Sequence, residues 1–92
     1  MQYARSSLHS SLSQQHRSEV IVRSLDHLFA MAQQYRSEGS LRQAMEIYWT
    51  LSENHSETVQ GQGAQDGLLE LADVYEHDGS RHQARSIYER LS

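Results

Sequence analysis

The chain predicts an all-α fold: two helix-turn-helix units preceded by an N-terminal extension. Three observations carry that prediction. Residues 28–52 recur as residues 68–92, the apolar positions of both copies fall at helical spacing, and Pro is absent from all 92 residues, so no ring interrupts a helix interior. Composition removes several other classes. Cys is absent, which excludes disulfides, thiolate metal sites and thiol nucleophiles. No apolar run approaches the ~18 residues a membrane span needs, and the first residues hold no apolar signal core. All eight cationic side chains are Arg and the net charge is −4, an acidic balance that argues against phosphate-backbone binding as the main task.

The N-terminal extension comes first. Residues 1–16 (MQYARSSLHSSLSQQH) are rich in Ser and Gln, and Ala4, Leu8 and Leu12 make only a narrow stripe. They read as a mobile tail, with a short helix over residues 2–14 docking on a neighbouring chain as the alternative. Helix is expected from about Ser18, where Val20, Ile21, Leu25 and Leu28 extend an apolar face backwards from the first repeat. Residues 1–24 carry three Arg and one Glu, whereas each later segment is net acidic. A nucleic-acid arm using Arg5, Arg17 and Arg23 is the minor reading of that tail.

The two copies align without a gap at an offset of 40 and share eleven of 25 positions, where composition alone gives roughly two. Leu28, Ala32 and Tyr35, and again Leu68, Ala72 and Tyr75, step by four and three along one helical face. Gly39 and Gly79 follow, suited to the positive φ of a helix C-terminus. Ser40 with Gln43, and Ser80 with Gln83, read as capping boxes opening the next helix. Ala44-Ile47-Tyr48-Leu51 and Ala84-Ile87-Tyr88-Leu91 then form a second stripe. Ala32 against Ala44, and Ala72 against Ala84, are expected where the two helices of a unit approach most closely. Unit one is placed at about residues 25–58 and unit two at about 65–92. Between them, Glu53–Gly63 with Gly61, Gly63 and Gly67 nearby predicts a loose connector and a helix that frays in the fifties.

This pattern resembles the tetratricopeptide repeat. The matching residues are Leu28, Ala32, Tyr35, Gly39, Ala44 and Tyr48, with Leu68, Ala72, Tyr75, Gly79, Ala84 and Tyr88. The 40-residue offset exceeds the family's usual ~34 and is similar to the kinesin-light-chain type, and the unit-closing Pro is missing from both copies. The resemblance implies a short α-α superhelix whose A helices bind a protein or peptide through their concave face. Carried over by alignment, the groove positions are Phe29, Gln33 and Arg36 in unit one, and Leu69, Asp73, Glu76 and His77 in unit two. Two apolar contacts, one cation and several carboxylates suit an amphipathic or Arg-containing peptide. The mode that grips a terminal carboxylate is not expected, because Arg36 alone fits it.

Other candidate sites dissolve on inspection. Six His are present, but His77 and His82 bracket a turn at a spacing unsuited to zinc, so no metal or cofactor is expected. Asp73 and Glu76 form ordinary helix surface without a nucleophile. Gly61-Gln62-Gly63 lacks the third Gly and the strand of a phosphate loop. No catalytic residue is assigned, and enzyme activity is not expected. Trp49, whose counterpart is Glu89, is expected at the junction between units. With only two copies, the end formed by Ile87, Tyr88 and Leu91 is uncovered, which predicts self-association into a homo-oligomer. The expected function is a cytoplasmic interaction scaffold, without membrane or nucleic-acid partners. The alternative is a regulatory or chaperone-like domain of a larger assembly, stabilised by its partner.

Overall fold

The computed structural model describes the backbone of residues 2–92 and the side chains of residues 17–92. It is all-α, with four helices in the order α1 (Gln2–Ser37), α2 (Leu41–Asn54), α3 (Val59–His77) and α4 (Arg81–Leu91). Consecutive helices pack against each other, and α1 also meets α3. The two hairpins therefore share a wall. Helical backbone begins at Gln2 rather than near Ser18. The side chains of the Ser/Gln-rich segment 1–16, and the docking roles considered for them, lie outside the described residues.

Each hairpin turns in the same way. Gly39 and Gly79 take φ of +83° and +82°. At the end of α1, the Gly39 amide donates to the Arg36 carbonyl and the Ser40 amide to the Tyr35 carbonyl; at the end of α3, Gly79 and Ser80 donate to Glu76 and Tyr75. These paired bonds are a Schellman closure, which satisfies carbonyls that a helix end would leave bare. The expected capping boxes do not form. Ser40 and Ser80 occupy the N-cap positions, but neither side chain accepts a capping bond. Each Ser is at once the last residue of one closure and the first of the next helix, and this holds ψ at 65° and 61°. The side-chain cap occurs instead at Thr58, where ψ is 160° and Oγ1 accepts from the Gly61 amide at 2.9 Å.

The connector is the larger correction. No loose segment runs from Glu53 to Gly63: α2 continues to Asn54, and after a short turn α3 begins at Val59. Gly61, Gly63 and Gly67 are helical, because the space beside them is taken. A Cβ on Gly61 would lie 2.0 Å from the His55 carbonyl oxygen, on Gly63 3.0 Å from the Phe29 ring, and on Gly67 2.6 Å from the Tyr48 ring. Glycine is what lets α3 lie this close to α2 and α1. Unit two therefore starts about six residues earlier than the repeat suggests.

The core follows the duplicated stripes. Ala32, Ala44, Ala72 and Ala84 are buried, and Leu51, Leu68 and Leu71 are fully enclosed. Burying such a Leu contributes roughly 1.5–3 kcal/mol. Trp49 is buried between α2 and α4, at the junction of the units. Among the described residues no buried side-chain polar atom lacks a hydrogen-bond partner. No helix is long and apolar enough to cross a membrane, again among the described residues.

Candidate functional site

A concavity lies in the cleft between α1 and α3, with α2 beneath it. From α1 come Phe29, Gln33, Arg36 and Ser37, from α2 Leu41 and Tyr48, and from α3 Gly63, Asp66, Gly67, Glu70 and Val74, around roughly 600 Å³. Helical periodicity places Phe29, Gln33 and Arg36 one turn apart on the same side of α1. Gly63 and Gly67 bring α3 close over the half-buried Phe29 ring and the Tyr48 ring, which is only 2% exposed. Their centroids are 6.1 Å apart and their planes tilted by 56°, within the favourable range for an aromatic pair.

Charge lies at the rim. Arg36 pairs with Glu70 across the cleft mouth, and Gln60 donates to Asp26 at 2.5 Å. These two contacts tie α1 to α3. Arg36 is neutralised by Glu70, leaving Asp66 as the excess negative charge of the cleft. Burial raises the Tyr48 hydroxyl above the ordinary phenol range, with Arg36 lowering it and Glu70 raising it to smaller extents. It stays a neutral donor and acceptor at physiological pH.

Of the residues selected from sequence, Phe29, Gln33 and Arg36 line this cleft. Leu69, Asp73 and Glu76 do not. A cleft between two neighbouring helices is walled by opposite faces of each, whereas the 40-residue offset selects the same face twice. The unit-two positions therefore point onward, away from α1. Leu69 is 47% exposed, and Glu76 lines a separate depression of similar size with Arg81, Arg85 and Tyr88. The α3 wall that does face Phe29 went unselected. Its sequence signal was the Gly63–Gly67 pair, spaced by one helical turn.

The uncovered end also needs correction. Ile87 is buried within this chain at 2% exposure, so it offers nothing to a second copy. Tyr88 is 40% exposed and Leu91 half-buried. The Tyr88 hydroxyl is raised above its ordinary range by desolvation first, then by the charge of Glu76 and a hydrogen bond with it. His77 and His82 do not assemble a metal site. No group of three or more His, Asp or Glu side chains suited to a metal occurs among the described residues. His77 instead faces Asp73, its Nδ1 lying 2.9 Å from the Asp73 carbonyl and 3.6 Å from the carboxylate. Comparison with protein-family models, with curated proteins and with solved structures finds no match.

Proposed function

We propose that this chain is a non-enzymatic protein-interaction module that takes a peptide or helix into the α1–α3 cleft. The observation that carries this reading is the joining of an apolar, half-buried Phe29 ring to a cleft lining whose Arg36 is paired with Glu70, which leaves the Asp66 carboxylate in excess. An amphipathic segment with an apolar anchor flanked by Arg or Lys meets both requirements. The anchor buries against the Phe29 ring, while the cation is attracted to Asp66. The tetratricopeptide-like repetition of the sequence supports the same reading, since that architecture uses such grooves.

The test is a backbone-amide NMR titration of the full chain with a synthetic amphipathic peptide of Leu, Ala and Arg. Shifts are expected at Phe29, Gly63, Gly67 and Glu70. They should weaken strongly in Phe29→Asp, a substitution at a half-buried site whose folding is checked by circular dichroism. Shifts scattered over the whole surface, or a Phe29→Asp variant that binds equally well, would overturn the proposal.

A further inference from the structure

Tyr48 brings a buried ring and an unsatisfied hydroxyl to the α1–α3 cleft. The residue is 2% exposed, yet its hydroxyl has no hydrogen-bond partner among the described residues. No buried side-chain polar atom there lacks a partner, so this oxygen reaches solvent in the cleft that Tyr48 lines. The duplicated unit displays the alternative. Its counterpart, Tyr88, hydrogen-bonds to Glu76, and the 40-residue offset puts Arg36 at the position of Glu76. A guanidinium only donates, and Arg36 is turned to Glu70. The Tyr48 hydroxyl therefore keeps its proton and its lone pairs for a ligand.

Contact with α3 places that hydroxyl. A Cβ on Gly67 would lie 2.6 Å from Cζ of Tyr48, the carbon that bears the oxygen. The oxygen thus sits beside residues 66–70, a stretch that begins and ends with carboxylates lining the cleft, Asp66 and Glu70. Side chains four apart on a helix are neighbours, with Cβ atoms about 5–6 Å apart. Arg36 Nη1 donates to Oε2 of Glu70, which leaves Oε1 available, and Asp66 has no ion-pair partner among the described residues. Three acceptors gather within one turn of α3. One cation, Arg36, stands against two carboxylates, so a single negative charge is left over. One turn earlier, the Phe29 ring lies against Gly63.

We propose that Asp66, Glu70 and the Tyr48 hydroxyl form a subsite for an arginine side chain of the bound segment. This deepens the peptide-binding reading of the cleft and rests on it. The ligand guanidinium donates to Asp66, to Oε1 of Glu70 and to the Tyr48 oxygen, while an apolar side chain of the same segment lies on Phe29. Its planar fork carries five donors in fixed directions and reaches acceptors spread along a helical turn. The three donors of a Lys ammonium radiate from one strongly hydrated atom. Coulomb attraction alone accepts either cation. The hydroxyl, neutral and directional, is what separates them.

The probes are the amphipathic peptide of Leu, Ala and Arg and the same peptide with Lys at every Arg, each titrated into the full chain and followed by amide NMR. The Arg peptide is expected to bind about tenfold tighter, with its largest shifts at Asp66, Gly67 and Glu70. Tyr48→Phe keeps the ring and removes only the unpartnered oxygen. Its melting temperature should stay unchanged while the preference for Arg falls to about twofold. Asp66→Asn, an exposed change, should weaken both peptides. Equal affinity of the two peptides, or a Tyr48→Phe variant that keeps the full preference, overturns the subsite and leaves the cleft as a groove. An Arg preference whose shifts fall at Glu76 and Tyr88 also overturns it, since other carboxylates would then hold the cation. Failure of both peptides to bind at millimolar concentration overturns the groove and the subsite together.

Discussion

The Arg90 guanidinium lies 4.2 Å from the centroid of the Trp49 ring and forks onto Glu53, with Nε and Nη2 donating to its carboxylate at 3.2 and 2.5 Å. One side chain of α4 thus clasps α2 twice, by stacking and by charge. Trp49 supplies most of that junction through buried area. Trp49→Ala is expected to lower stability by roughly 3 kcal/mol. Arg90→Met, which keeps the stem and loses the cation, should cost about 1 kcal/mol or less because the Glu53 pair is half-exposed. Urea denaturation of the two variants gives both values, and a larger loss for Arg90→Met would show the weighting to be wrong.

The helical glycines differ in what opposes a methyl group. At Gly61 the obstacle is backbone, at Gly67 a buried ring, and at Gly63 the edge of the half-buried Phe29. Adding Cβ improves intrinsic helix preference by about 1 kcal/mol at each site, so the balance depends on whether the neighbour can yield. Gly61→Ala should be the most destabilising, Gly67→Ala next at about 1–2 kcal/mol net, and Gly63→Ala close to neutral. Melting temperatures in the reverse order would contradict the contact geometry.

Arg36 and Glu70 form an exposed pair, and its contribution is correspondingly small. Reversing either charge alone should lower stability by about 1 kcal/mol or less, and reversing both should restore it. The difference should fade in 1 M salt, where the screening length falls to about 3 Å. A salt-independent loss would mean the side chains act through packing.

His77 has its pKa raised above 6.5, first by its hydrogen bond to the Asp73 carbonyl and then by the Asp73 carboxylate. A raised folded value means the protonated form is favoured by folding. The contribution is complete below pH 6.5 and is lost as pH rises through the folded value. An imidazole NMR titration should place His77 above the ordinary histidine value, and His77→Gln should flatten this part of the stability profile.

Much of the architecture was legible because duplication samples each stripe twice. Ala32, Ala44, Ala72 and Ala84 are all buried, and both turn glycines took positive φ. The glycines of α3 misled because local propensity favours loop, and only the neighbouring His55 carbonyl and Tyr48 ring reveal why Cβ is absent. The Ser40 and Ser80 caps failed for a related reason: two helix ends compete for one residue, and the Schellman closure sets its ψ. Half of the cleft was legible, since Phe29, Gln33 and Arg36 could be placed on one helix face. The other wall depended on how α3 is rotated, which alignment by offset cannot supply.

The three glycines of α3 have one more consequence. Relative to alanine they surrender about 3 kcal/mol of intrinsic helicity, so this helix is poorly suited to persist apart from its neighbours. The second hairpin owes its shape to the first, and the pair should melt in a single all-or-none step rather than one repeat at a time.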